Sequence, residues 1–414
     1  MIGVSKLLCG TENFGDKLRY VNGASQQKNG VSDGRGPVVV WNCTKTCNLK
    51  CMHCYANSDS KKYQGELNTK EAMALINDFH DFKVPVILFS GGEPLLREDL
   101  FELIEHAGSH NIRSTISTNG TLIDKDIARR IKQSEVGYVG ISLDGIGDKH
   151  DEFRRTKGCF NKALSGIENC KKVNQKVGVR FTINSHNYDQ IEDIFHLIKE
   201  EKINRVCFYH LVYSGRGSEM IKEDISHAES RAAMDLIMEK TLELGDKAEI
   251  LTVDNHADTV YIYLKSLKKY PNLSQNILKL MEMNGGNRSG IAIANVDYLG
   301  NVHADQFTSQ YTFGNVKDRS FRDIWEDTTS PIMKGLKDRK DLLKGRCSKC
   351  KWLSVCNGNF RTRAESVTGD FWASDPACYL SNKEIGVQDE VVNIAASKKM
   401  IKEGIKYDHV MEHD

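Results

Sequence analysis

Three things are scarce in this chain of 414 residues: long apolar runs, an excess of one charge, and repetition. No apolar run approaches the roughly 20 residues that cross a bilayer, so a transmembrane helix is not expected. The opening MIGVSKLLCG has a short apolar patch ending at Cys9. It lacks a basic segment followed by a long apolar one, so it reads as neither a signal peptide nor a lipoprotein signal. The expected location is the cytoplasm. Lysines and arginines nearly cancel aspartates and glutamates, leaving a net charge of +1. No global field therefore draws the chain to nucleic acid or to an anionic membrane, and an anionic ligand has to be held by local basic residues. There is no low-complexity tract, and nothing repeats beyond an alternation of strand and helix.

Cysteine, by contrast, is abundant. Twelve thiols are many for a reducing compartment, where structural disulfides rarely persist. Seven of the twelve fall in two tight groups, and closely spaced cytosolic thiols more often bind metal than pair with each other. The first group, Cys47, Cys51 and Cys54, reads C-x3-C-x2-C. Three thiolates on one loop suit three irons of a [4Fe–4S] cube and leave the fourth iron open for chemistry. A zinc knuckle is the alternative, with Cys43 or His53 as its fourth ligand. The second group, Cys347, Cys350, Cys356 and Cys378, supplies four thiolates, enough to close one cluster or one zinc site. Cys9, Cys159, Cys170 and Cys207 read as buried thiols.

Apolar, β-branched or aromatic runs at 37–43, 84–91, 113–120, 138–145, 177–184 and 205–213 read as strands, with helical periodicity between them. Six such units imply an α/β fold, a parallel sheet built from right-handed crossovers with helices outside. Chemistry in that architecture sits at the carboxyl ends of the strands. The first cysteine group, Gly91–Pro94, Thr118–Gly120 and Ser142–Gly145 all fall there. Residues 1–36 read as an irregular lead and 37–215 as the strand–helix domain. Residues 216–285 read as a largely helical connector, and 286–385 as a cysteine-bearing domain opening on a hairpin around Tyr298–Asn301. Residues 386–414 read as a helical tail.

The C-x3-C-x2-C spacing, GGEP (Gly91–Pro94), SLDG (Ser142–Gly145) and HDEFRR (His150–Arg155), in that order, resemble the radical S-adenosylmethionine (SAM) superfamily. The resemblance implies a partial (β/α)6 barrel of the TIM type. It also implies a [4Fe–4S] cluster on Cys47, Cys51 and Cys54, with SAM on its open iron. Gly91, Gly92 and Glu93 would lie at the methionine amino group, Ser142 and Arg154 at the nucleoside or carboxylate, and His53 beside adenine. Superfamily members with C-terminal extensions carry auxiliary clusters there, which favours a second [4Fe–4S] cluster over zinc. The full SPASM extension holds two clusters, but here its expected additional cysteines are replaced by Asp305 and Phe360. The expectation is therefore the shortened, twitch form, fully ligated by Cys347, Cys350, Cys356 and Cys378.

MIGVSKLLCG, FYHLVYSGRG, HADQFTSQYTFGNV and CNGNFRTRAESVTGDFWASDPACYL resemble the tetrapyrrole-modifying branch of the superfamily. The activity implied is removal of the two acetate side chains of 12,18-didecarboxysiroheme to give Fe-coproporphyrin III. Removal of propionates in haem d1 formation is the alternative, and modification of a peptide or protein a more distant one. Partners implied are an iron tetrapyrrole with several carboxylates and a low-potential electron donor such as ferredoxin or flavodoxin. Arg216, Arg288, Arg361 and Arg363 are the expected carboxylate partners. His210, His303, Tyr209, Tyr213 and Asp305 are the candidates for iron ligation or acid–base work.

Overall fold

Ten strands form one sheet in the computed structural model, which describes residues 1–388. They are β1 (Ile2–Gly3), β2 (Val38–Thr44), β3 (Val86–Gly91), β4 (Arg113–Thr118), β5 (Val139–Ser142), β6 (Val177–Ile183), β7 (Arg205–His210), β8 (Glu249–Val253), β9 (Ile293–Val296) and β10 (Val302–His303). Their spatial order is β1-β8-β7-β6-β5-β4-β3-β2-β9-β10. The six expected strands, β2 to β7, are parallel neighbours in sequence order.

Side chains alternate across a strand, and here the alternation separates two environments. One face carries Trp41, Ile87, Phe89, Ile116, Ile141, Phe181 and Phe208, all buried in a continuous apolar core with the outer helices. Those helices, Thr69–Asp81, Leu100–Ser109, Lys125–Gln133, Cys159–Lys172 and Ile191–Glu200, contribute Leu75, Leu103, Ile131, Ile167 and Ile194 to it. The first of them starts at a capping box, Asn68 with Glu71, which satisfies backbone N–H groups that a helix end leaves free. The other face of the sheet carries Asn42, Ser90, Thr115, Ser117, Ser142, Arg180, Thr182 and Tyr209. These are mostly half-buried and form a polar inner wall.

The structure differs from the sequence expectation in two places. The connector at 216–285 is not purely helical, because β8 lies within it as a fully buried seventh parallel strand paired with β7. The irregular lead supplies β1, antiparallel to β8, and the helix Val4–Cys9, which packs on β8 and on the helix His227–Leu244. The helical tail expected at 386–414 lies, from 389 onward, outside the described residues.

At the opposite edge, β9 pairs parallel with β2, Val38 opposite Ile293. The expected hairpin forms between β9 and β10. Gly300 turns it at φ +91, and the Asp297 carboxylate accepts from the N–H groups of Leu299 and Asn301. The C-terminal extension thus grows directly out of the barrel sheet.

Candidate active site

The first cysteine group sits on the loop that leaves β2, with Cys47 and Cys51 buried and Cys54 half-buried. Arg216 ties that loop down. Its guanidinium donates to Cys51 O at 2.7 Å, Asn57 Oδ1 at 3.0 Å and Ser58 O at 2.9 Å. Gly91 and Gly92 let the end of β3 approach from the other side. A Cβ on Gly91 would stand 2.2 Å from Thr44 O, and one on Gly92 2.1 Å from Thr46 O, closer than any side chain tolerates. Glu93 is fully buried. Its carboxylate accepts from Thr118 Oγ1 at 2.7 Å and Asn119 N at 2.8 Å, so it anchors the turn after β4.

Donors point at the sulfurs. Leu49 N and Ser58 N lie 3.4 Å from Cys47 Sγ and Cys54 Sγ, and Arg154 Nη1 lies 3.3 Å from Cys51 Sγ. Such donors favour thiolate, whereas burial pushes the Cys47 thiol up to about 12 and raises that of Cys51. Iron binding would therefore have to displace protons, as metal ligation does. The zinc alternative loses its fourth ligand. Cys43 points to Ser90 O in the apolar core, and His53 turns to Asp144 at 3.7 Å and against the Phe153 ring.

Arg154 pairs with Asp144, which is 1% exposed. Burial alone would raise the Asp144 pKa, but Arg154, His53 and His150 hold it below the usual carboxylate range. Burial holds His53 neutral, at about 4, and its Nδ1 has no protein partner. Ser142 ends β5 half-buried on the inner face, opposite Arg180 of β6. Cys47, Cys51, Cys54, His53, Arg154 and Ser142 thus gather at the carboxyl ends of the strands.

The second group, Cys347, Cys350, Cys356 and Cys378, lines one small pocket with apolar walls from Val260, Leu353, Leu380 and Ile385. Burial raises the Cys378 thiol to about 12. Among the described residues, no three His, Cys, Asp or Glu side chains converge closely enough for a single ion. Zinc holds sulfur at about 2.3 Å, so four thiols spread around an apolar cavity suit a cluster better.

The remaining candidates separate. His210 Nε2 is 3.0 Å from Asp258 Oδ2, and Asp258 also accepts from Tyr379 OH at 2.7 Å. Tyr213 donates to Asp224 at 2.7 Å. His303 lies 2.8 Å from Tyr311 O, and Asp305 accepts from Phe307 N and Thr308 N, so both are engaged within the hairpin segment. Tyr209 is the one of the five on the inner wall. The four arginines expected to meet substrate are used internally. Besides Arg216, Arg288 donates to Gly30 O, Arg361 to Ala373 O, and Arg363 to Asp375, Leu211 O and Asp254 O. The sequence marked them as carboxylate partners but could not tell a surface guanidinium from a buried one. It also passed over Arg180 and Asp144. Alternation along VGVRFTI was the available signal for Arg180, since it puts the arginine on the face opposite Val179 and Phe181.

The model of the Radical SAM superfamily matches residues 41–198. That of the SPASM iron-sulfur cluster-binding domain matches 291–351, ending before Cys356 and Cys378. The chain is 53% identical to Fe-coproporphyrin III synthase of Methanosarcina barkeri, over 93% of this chain and 99% of that one. It is 42% identical to pre-heme d1 synthase of Dinoroseobacter shibae, over 86% and 89%. Its fold is similar to that of Streptococcus suis SuiB bound to S-adenosylmethionine, with TM-score 0.67 and 18% identity, covering 84% of this chain and 78% of that one.

Proposed function

Because the chain belongs to the radical SAM superfamily and carries a SPASM extension, we propose that it removes two acetate side chains from 12,18-didecarboxysiroheme to give Fe-coproporphyrin III. The observation that carries the substrate is the 53% identity to Fe-coproporphyrin III synthase along nearly the whole of both chains. The cofactors these domains imply are SAM and [4Fe–4S] clusters.

In this reading Cys47, Cys51 and Cys54 hold three irons, and among the described residues Cys43 and His53, the candidates for a fourth ligand, are turned elsewhere. Bound there, the cluster and SAM supply a carbon radical able to take hydrogen from an unactivated C–H bond. The protein's own part is placement. Gly91 and Gly92 bring the end of β3 against the cysteine loop, and Glu93 fixes Thr118 and Asn119 beneath it. Asp144 holds Arg154 beside Cys51, which places positive charge where the thiolates concentrate negative charge. His53, neutral and packed on Phe153, lies beside adenine in this reading, and Ser142 offers a hydroxyl on the inner wall. Cys347, Cys350, Cys356 and Cys378 close an auxiliary cluster, which suits electron relay or positioning better than substrate ligation. A ferredoxin or flavodoxin supplies electrons, and the cytoplasm is the fitting location. No helix among the described residues is long and apolar enough to cross a membrane.

Anaerobic turnover with 12,18-didecarboxysiroheme, SAM and a reductant tests the reading by product mass. Loss of both acetate arms is expected. Loss of propionates would move the chain to the alternative that the 42% identity to pre-heme d1 synthase favours, and an unchanged tetrapyrrole would overturn both.

A further inference from the structure

Arg180 lies midway along β6 with its side chain on the inner wall. The neighbouring strand makes room for it, since a Cβ at Gly140 would stand 2.4 Å from Arg180 Nε. The guanidinium donates to Ser117 Oγ at 2.6 Å and lies 5.7 Å from the Tyr209 ring centre. Its Nε is buried and has no hydrogen-bond partner among the described residues.

Of the other arginines on or near this wall, Arg113 donates to Gly137 O at 2.6 Å and packs on Phe14 at the start of β4, and two have acids. Arg154 has Asp144, and Arg205 Nε lies 2.8 Å from Glu249 Oε2. Arg180 pairs with no carboxylate among the described residues; the groups acting on its charge are Tyr209, Tyr138, Cys207 and Tyr55. A guanidinium away from water is costly unless paired, and its planar fork matches a carboxylate bidentately. A lone fork with a free donor, given space by a glycine, is arranged for an anion that arrives with a ligand.

We infer that Arg180 binds a carboxylate arm of the tetrapyrrole, with Ser117 and Tyr209 fixing its fork; the inference rests on the function proposed above. SAM also carries a carboxylate. Its methionine end belongs at the open iron beside β2 and β3, but Ser142, given to SAM above, is the register partner of Arg180, so the SAM titration below separates the two carboxylates. The assignment fills a gap left by Arg216, Arg288, Arg361 and Arg363, which are spent on backbone carbonyls, Asn57 and Asp375.

The test uses the cluster-loaded full chain and two variants, Arg180→Gln and Arg180→Lys. Absorbance titration with 12,18-didecarboxysiroheme reads its Kd without turnover, and calorimetric titration with SAM reads the other ligand. Arg180→Gln is expected to weaken tetrapyrrole binding about tenfold or more, as loss of a charged hydrogen-bonded pair does. Arg180→Lys should weaken it less, and SAM affinity should stay within about twofold of wild type. With the tetrapyrrole's carboxylates esterified, wild type and Arg180→Gln should bind alike. Iron content and melting temperature equal to wild type show that each variant is folded.

Unchanged tetrapyrrole affinity in Arg180→Gln would overturn the inference, and so would a loss confined to SAM, which would assign the fork to the cofactor. A wild type that binds this tetrapyrrole without cleaving it would sink the proposed activity while the Kd comparison still decides Arg180. A wild type that does not bind it would overturn both.

Discussion

His150 shows how one side chain can make the site sensitive to acid. It is 1% exposed, and its Nδ1 accepts from Asp144 N–H at 3.0 Å, which requires the unprotonated nitrogen. Burial, with Arg154 adding to it, lowers its pKa to about 4. Between its ordinary value of about 6.5 and that lowered value, the unfolded chain takes up a proton that the folded chain refuses. Stability from this group is therefore complete above about pH 6.5 and is lost as pH falls toward 4. Urea midpoints measured across this window should fall with acidification more steeply in wild type than in His150→Gln; parallel curves would contradict it. The effect reaches the site because Asp144 positions Arg154 beside Cys51.

At the scale of elements, the barrel and the extension are joined by a seam that the sequence does not announce. Arg363 and Asp375 are both fully buried in it. Arg363, on the helix Arg361–Thr368, also donates to the carbonyls of Leu211 and Asp254, which follow β7 and β8. Removing one partner of a buried pair leaves an uncompensated charge, at a cost of about 3–5 kcal/mol. Asp375→Asn is thus expected to lower stability by that order in urea melts and to lose auxiliary-cluster iron first. A melt within about 1 kcal/mol of wild type would show that the pair does not hold the seam. The six barrel strands were legible because each is an apolar or β-branched run followed by a turn motif and a helical period. β8 was not, because EILTV is short and starts on a glutamate, and its burial comes from β1 and β7, contacts that local pattern does not encode. The two cysteine groups stood out by spacing, which by itself left zinc open for each. The arginines were not, because whether a guanidinium meets solvent, a carbonyl or a ligand depends on which segments fold over it. Arg361 and Arg363, two residues apart, are both consumed internally, while Arg180, in the middle of an apolar strand, faces the inner wall.

At the scale of the whole molecule, two cysteine sets stand on one continuous sheet. One set has three thiols on a loop at the strand ends, the other four thiols around an apolar cavity in the extension. The extension continues the sheet through β9 and is locked over the barrel mouth by Arg363. In the proposed function the difference in ligand number assigns the roles, with chemistry at the three-thiol site and a closed cluster at the other. That division is tested most directly by anaerobic cleavage of SAM under a strong reductant with the tetrapyrrole present. The iron-loaded wild type, with about eight irons per chain, should release 5′-deoxyadenosine. Cys47→Ala should release none while retaining the auxiliary cluster. Intact SAM with the fully loaded wild type, or undiminished cleavage by Cys47→Ala, would contradict the account.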